Sequence, residues 1–325
     1  MASPPTAPDE SVPAGPLLAI GGAEDKLGKR EVLGRFVDYA GGADGRIAVV
    51  PTASGLGPDV VDLYSALFRK LGAGSVIGVR PETRAEAEDP KVVADLDEVT
   101  GIFMTGGNQL KLSQVITGTA FGRAIVDANA SGVTVGGTSA GASILSSHMV
   151  AFGSGGATPK QRMTQLAAGL GLLGGCVIDQ HFAQRNRYGR LLMLVAQSPA
   201  LLGIGIDEDT AAIVHEGSVL EVAGRGVVTV MDGSRVRTNA HAARHTAPLL
   251  VSDAVLHVLP AGSVFDLNER TLLGGPAVFD PVAAANLERA GDDLRSLARD
   301  IAAEGVSPTN LRRRQRRRAS DRRKR

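Results

Sequence analysis

The chain predicts an α/β fold built around a mostly parallel sheet covered on both faces, and three observations carry that expectation. From residue 17 to about 150, short β-rich runs alternate with helix-compatible segments, the pattern of successive βα units. Several of those runs end in Gly or Thr, as in Ile20-Gly21-Gly22, Val50-Pro51-Thr52 and Met104-Thr105-Gly106-Gly107. In open α/β sheets the crevice beyond the carboxyl ends of the strands is where ligands sit. The third observation is the stretch Val133-Thr134-Val135-Gly136-Gly137-Thr138-Ser139-Ala140-Gly141-Ala142, where a β-branched run drops into small residues around one hydroxyl. That is the pattern of a strand-to-helix turn holding a serine above the sheet edge.

Taken in order, strands are expected at residues 17–20, 46–50, 75–79, 101–104 and 133–136, with helices at 59–71 and 120–130. After the Gly-rich stretch 153–156 come a strand at 176–178 and a helix at 184–197. Strands at 202–206, 211–215, 219–222 and 227–231 follow, with Gly217 and Asp232-Gly233 read as hairpin turns. A further hairpin is expected from 254–259 and 263–267 around Pro260-Ala261-Gly262. Residues 281–303 read as an amphipathic helix, with Val282, Leu287, Leu294, Leu297 and Ile301 on its apolar face. The chain therefore divides into a flexible extension (1–16), one catalytic domain (17–268), a partly helical extension (269–310) and a basic tail (311–325).

Composition bounds the function. A chain of 325 residues, 43% hydrophobic, can bury a full core, and with aromatics at 3% and no Trp that core must rest on Val, Leu, Ile and Ala. The single Cys176 excludes an intrachain disulfide framework. No stretch approaches the roughly 20 apolar residues that span a bilayer. The first sixteen residues lack the basic start and apolar centre of a secretory signal, so a cytoplasmic protein without a membrane partner is expected. The net charge of +1 hides an asymmetry: ten of residues 311–325 are Arg or Lys against the one acid Asp321, so the rest of the chain is acidic. Such a run repels itself and is expected to be disordered. Nucleic acid is not an expected partner except through this tail, which has no interleaved aromatics for base stacking.

The elbow serine needs a base and an orienting acid before it can attack a carbonyl. Of six histidines, His215 and His257 lie inside strand-like runs, His148 ends the expected helix after Ser139, and His241 and His245 sit in a loop-like stretch. His181 stands apart, just past the end of the 176–178 strand and on the same edge as Ser139. For the acid, Asp207, Glu208 and Asp209 follow the strand at 202–206, and Asp179 precedes the histidine; spacing does not choose among them. Backbone N–H groups of Ala140 and of the Gly106-Gly107 turn are the natural oxyanion donors. Arg185, Arg187 and Arg190, three arginines within six residues, follow the histidine at the start of the expected helix. Cations there oppose the helix dipole, which favours a functional reason for them, namely bidentate recognition of carboxylates.

With these residues assembled, the chain resembles the cyanophycinases, members of a serine-peptidase family that also includes peptidase E. The resemblance runs over about 17–267. It rests on Phe103-Met104-Thr105-Gly106-Gly107-Asn108-Gln109, the Ser139 elbow, Asp179-Gln180-His181-Phe182 with the three arginines, and Gly203-Ile204-Gly205-Ile206-Asp207-Glu208. It implies a three-layer α/β/α sandwich like that of class I glutamine amidotransferases (flavodoxin-like), in a homodimer. It further implies a serine exopeptidase that cuts cyanophycin, a polyaspartate carrying arginine on its β-carboxyls, into β-Asp-Arg dipeptides. By that resemblance Ser139 is the nucleophile, His181 the base and Glu208 the acid; Gly107 and Ala140 remain the expected oxyanion donors from their place beside the elbow. Gln109, Asp179, Gln180, Arg185, Arg187 and Arg190 would line the substrate pocket, the arginines meeting carboxylates and Asp179 meeting cations. No cofactor or metal is implied. Three other readings are weaker. A peptidase E-type dipeptidase has no need of the arginine block. An ordinary esterase orders its triad serine, acid, histidine. A silent binder acting through the tail leaves the elbow unexplained.

Overall fold

The computed structural model describes residues 13–276. The expected helix at 281–303, the tail at 311–325 and most of the N-terminal extension lie outside the described residues. The elements run β1 (Leu17–Ile20), α1 (Glu31–Tyr39), β2 (Arg46–Val50), α2 (Asp59–Lys70), β3 (Ser75–Gly78), α3 (Pro90–Ala94), β4 (Gly101–Met104), α4 (Gln109–Ile116) and α5 (Ala120–Ala130). They continue with β5 (Thr134–Thr138), α6 (Ala140–Ser143), β6 (His148–Gly153), β7 (Thr164–Ala168), β8 (Cys176–Gln180), α7 (Tyr188–Gln197), β9 (Leu202–Ile206), β10 (Thr210–His215) and β11 (Val219–Gly224). Then come β12 (Val227–Asp232), β13 (Arg237–Thr238), β14 (Val251–Ser252), β15 (Val255–Pro260), β16 (Val264–Asp266) and β17 (Thr271–Gly274).

The large sheet has the order β17-β16-β11-β10-β1-β5-β4-β2-β3, and its half from β1 to β3 is parallel, as the βα alternation predicts. Strand β1 is the pivot: it pairs parallel with β5 on one side and antiparallel with β10 on the other. The other half is antiparallel: short turns join β10 to β11 and β16 to β17, and a short turn reverses the chain, while β16 returns to β11 only after β12–β15. A second sheet, β15-β12-β9-β8, stands apart from the first, with β8 and β9 parallel.

Period-two alternation in the central strands feeds two cores. Leu18, Ile20, Ile47, Val49 and Phe103 pack against α1 and α2. Leu17, Ala19, Ala48, Val50, Ile102 and Met104 face the opposite way, toward α5 and the second sheet. Helix α7 covers the far face of that second sheet through Leu191, Leu194 and Val195. Aliphatic side chains dominate, as composition requires. The scarce aromatics nonetheless concentrate in one place: Phe36, Tyr64, Phe68 and Phe103 form a cluster with ring centroids 5.0–5.7 Å apart. Each such pair adds about 0.5–1.5 kcal/mol beyond its buried area.

Four expectations change. The helix expected from residue 184 begins at Tyr188, because Asn186 takes a left-handed backbone (φ 49°) that no helix accommodates, so Arg185 and Arg187 precede it. The helix after Ser139 is only four residues long, and His148 opens strand β6. Asp232-Gly233 is not a hairpin turn, since β12 pairs with β9 and β15 instead of its successor. The hairpin around Pro260-Ala261-Gly262 is also absent: β15 joins the second sheet while β16 joins the first. The last two are choices between neighbouring strands that local turn chemistry does not encode.

Candidate active site

The carboxyl ends of β1, β5, β8 and β9 converge, and backbone hydrogen bonds tie them together. Ser139 N–H donates to Ile20 O (2.9 Å), His181 N–H to Gly21 O (2.8 Å), Phe182 N–H to Ile206 O (3.1 Å) and Asp209 N–H to Gly22 O (2.9 Å). Two sheets are thereby held in register around the end of β1.

Ser139 sits at φ 53° and ψ −107°, a conformation an L-residue adopts only at a cost of about 1–3 kcal/mol. The small residues around it are sterically required. A Cβ on Gly137 would lie 2.4 Å from Gly141 O, and one on Gly141 would lie 2.1 Å from Met104 O. The turn lifts Ser139 Oγ to 3.1 Å from His181 Nε2, and His181 Nδ1 lies 2.6 Å from Glu208 Oε1. His181 also has a left-handed backbone (φ 47°).

The three carboxylates after β9 separate by task. Glu208 takes the histidine, and its own N–H is held by Gln184 Oε1 at 3.1 Å. Asp207 turns inward and accepts from Ala183 N–H (3.0 Å) and Val227 N–H (3.3 Å), fixing the loop beyond His181. Asp209 accepts from Asp25 N–H at 2.7 Å and so anchors the loop after β1. Burial is the largest influence on His181 and holds its pKa below the ordinary 6.5. The hydrogen bond and charge of Glu208 work against burial, while the Arg185 and Arg187 guanidinium groups push further down. The ring is thus neutral near pH 7, ready to accept a proton.

Beneath the serine lies a chain of polar groups, buried except for the half-buried Gln109. Gln180 Oε1 is 3.5 Å from Ser139 Oγ and accepts from Arg187 Nη1 at 2.9 Å, while Gln180 Nε2 donates to Gln109 Oε1 at 2.8 Å. Gln109 is fixed in turn by Val150 O. Asp179 is fully buried and clamped by Arg190, whose Nε and Nη2 donate at 2.6 and 2.5 Å, and by Arg187 at 3.2 Å. Arg190 is 2% exposed and its remaining nitrogen, Nη1, donates to Gly153 O. This changes two expectations. Arg190 and Asp179, read as meeting substrate carboxylates and cations, are instead committed to each other, leaving neither a free face. Of the three arginines, Arg185 is exposed, and among the described residues its side chain makes no hydrogen bond.

On the other side of Ser139, Gly106 comes close enough that a Cβ there would lie 3.3 Å from Ser139 Cβ. Gly107, at φ 144°, is pressed against Ala53, whose carbonyl oxygen would lie 2.1 Å from an added Cβ. Neither the Gly107 nor the Ala140 N–H donates to a backbone acceptor among the described residues. A cleft of about 240 Å³ opens here, lined by Ser139, Gly106, Glu24, Lys26, Leu56 and Leu63.

Sequence reasoning passed over two residues. Gly22 lies against the imidazole: a Cβ at its φ of 98° would fall 2.4 Å from both Cε1 and Nε2 of His181. The Gly21-Gly22 pair signalled a turn but not this contact. Glu24, 4% exposed, accepts from Thr138 Oγ1 (2.5 Å), Lys26 Nζ (2.7 Å) and the Tyr64 hydroxyl. Burial opposes its ionisation, yet these donors hold its pKa below the usual carboxylate value. No periodicity or spacing marks Glu24; only the folded contacts reveal it.

Rival groups are elsewhere or inert. Burial pushes the Cys176 thiol up to about 12. His215 packs on Tyr39 and His257 on Phe265. Among the described residues no cluster of three or more His, Cys, Asp or Glu is arranged to hold a metal, and no helix is long and apolar enough to cross a membrane.

Comparison with known proteins agrees with this arrangement of elements. The family model described as Peptidase family S51 matches residues 17–222. A cyanophycinase of Nostoc sp. (strain PCC 7120) is 40% identical over 264 residues, 81% of this chain and 88% of the relative. One from Geminocystis herdmanii is 38% identical over 261 residues, 80% of this chain and 96% of the relative. Among solved structures, a peptidase from an acI-B1 Actinobacterium shares the fold, with a TM-score of 0.54 at 22% identity, covering 75% of this chain and 97% of that one. An α/β chain that the family model matches from β1 into β11, with relatives this similar over four-fifths of its length, belongs to peptidase family S51 and is a peptidase.

Proposed function

We propose that this peptidase degrades cyanophycin as a serine exopeptidase, releasing β-Asp-Arg dipeptides. The observation that carries the mechanism is the strained Ser139 held 3.1 Å from the neutral, Glu208-oriented His181. In this reading Ser139 Oγ attacks the scissile backbone carbonyl as His181 Nε2 takes its proton. Glu208 stabilises the imidazolium that forms without itself becoming protonated. The N–H groups of Gly107 and Ala140 receive the oxyanion. His181 then protonates the leaving amine, and water, activated by the same histidine, releases the product from the acyl-enzyme.

Substrate preference follows from the charges and from the kinship to cyanophycinases. Each polymer unit carries a guanidinium and a free carboxylate. Arg185, exposed and free of internal bonds, is the side chain of the arginine block best disposed to meet that carboxylate. Gln109 and Gln180, tethered to one another beside Ser139, are suited to hold the backbone amide. Asp179, Arg187 and Arg190 support that pair from beneath. The working form in this reading is a cytoplasmic homodimer. The exposed Leu256 and Val258 on edge strand β15 are in keeping with a covered surface.

The test is direct. Incubation with cyanophycin, read by mass spectrometry, should yield β-Asp-Arg, and Ser139→Ala should yield none. Release that survives Ser139→Ala removes the nucleophile assignment, and no release by the parent protein removes the substrate.

A further inference from the structure

The cleft beside Ser139 contains a cation that the triad does not use. Lys26 Nζ is 2.7 Å from Glu24 Oε1 and 3.5 Å from Glu24 O, and it sits 5.5 Å from the centre of the Tyr64 ring. Its side chain is 29% exposed, so the ammonium is gripped from behind yet open in front. Two of its three N–H donors face Glu24, which leaves one for whatever enters the cleft.

Glu24 is not available to an incoming cation. Both its oxygens are occupied by Thr138, Tyr64 and Lys26, and it is almost wholly buried. The charge this cleft presents is therefore positive. Ser54, Thr105 and Thr138 also line it, and Leu56, Val60 and Leu63 add an apolar ledge, with Leu56 67% and Leu63 42% exposed. A fixed ammonium next to an apolar ledge suits a carboxylate borne on a short aliphatic stem. Fixing the lysine in advance also removes most of the rotamer entropy that an exposed lysine loses on binding.

We infer that Lys26, preorganised by Glu24 and Tyr64, anchors a substrate carboxylate in this cleft and so sets affinity on the side of Ser139 opposite the arginine block. The inference rests on the substrate reading above. Cyanophycin supplies such a carboxylate from two sources, the arginine α-carboxylate of each unit and the carboxylate at the chain terminus.

Three synthetic trimers of the β-Asp-Arg unit separate the possibilities: the parent, one with agmatine in place of arginine, and one amidated at its terminus. On the parent trimer, Lys26→Met should raise KM about 10–100-fold, the loss of one charge-assisted hydrogen bond, with kcat within a few-fold of the unsubstituted protein. Lys26→Arg should recover most of the affinity. On the trimer lacking the recognised carboxylate, the unsubstituted protein and Lys26→Met should have the same KM. Agmatine closing the gap identifies the side-chain carboxylate, and the amide closing it identifies the terminal one. A gap that persists on both trimers, an unchanged KM, or a fall in kcat alone overturns the assignment. If the unsubstituted protein leaves the parent trimer intact, the substrate reading falls and this assignment with it.

Discussion

Gly22 lies so close to His181 that a methyl group in place of its hydrogen would fall 2.4 Å from the ring atoms Cε1 and Nε2. The backbone after β1 is thus the floor on which the imidazole rests. Gly22→Ala should displace the ring from Ser139 and lower kcat/KM by about 10²-fold, the scale of an ångström misplacement. The left-handed φ adds strain of about 1–3 kcal/mol, so steady-state kinetics and a thermal melt should be recorded together. Undiminished activity would mean that the ring position is not set by this contact.

Glu208 and its neighbours Asp207 and Asp209 are distinguishable by substitution. Glu208→Gln should lower kcat by about 10⁴-fold, the loss seen when the orienting acid of a serine triad becomes an amide. Asp207→Ala should instead reduce stability by about 1–3 kcal/mol, because the Ala183 and Val227 N–H groups lose their acceptor. Asp209→Ala should loosen the loop at Asp25 with a smaller effect on turnover. If Asp207 or Asp209 matched the turnover loss of Glu208, the acid would be reassigned.

The acidic limb of the kcat/KM profile should reflect His181 in the free enzyme, with its midpoint below the ordinary histidine value of 6.5. Arg185 contributes to that depression, since a nearby cation disfavours the imidazolium. Removing the cation with Arg185→Ala should therefore move the limb to higher pH, and Arg185→Glu should move it further. Arg185→Lys should leave it nearly in place. A shift toward lower pH would contradict the electrostatic argument.

The Arg190–Asp179 pair is buried at 2% and 0% exposure, and breaking it leaves the carboxylate only the longer bond from Arg187 (3.2 Å). Arg190→Met should lower unfolding free energy by about 3–5 kcal/mol, measured by denaturant titration. Asp179→Asn with Arg190→Met together should cost less than the first change alone, because the under-compensated buried carboxylate is gone and the amide oxygen can still accept from Arg187. A change below about 1 kcal/mol for Arg190→Met would mean that Arg187 alone is enough to compensate the buried carboxylate.

Much of the molecule is legible without tertiary information because its signals are local. The βα alternation that forms the half-sheet β1-β5-β4-β2-β3 is written in residue types over a dozen positions at a time. The Ser139 elbow is legible for the same reason: strained backbone admits few residue types, and Gly137 and Gly141 betray it. His181 is legible as the histidine that follows directly after a strand.

Pairwise choices made across the fold are not legible. The sequence by itself offers Asp179, Asp207, Glu208 and Asp209 to one histidine. The choice of Glu208 depends on how the loop after β9 turns against Gln184, Asp25 and Val227. The arginine block reads as a row of equivalent cations, yet one left-handed residue, Asn186, ends that equivalence. It sends Arg190 inward to Asp179 and leaves Arg185 outside. Glu24 and Lys26 carry no sequence signal, since a buried carboxylate is recognisable only by the donors that surround it. Residue types and their spacing determined the strands, the elbow and the base. The tertiary structure decided which charges are buried in pairs and which face the substrate, because desolvation depends on every neighbour at once.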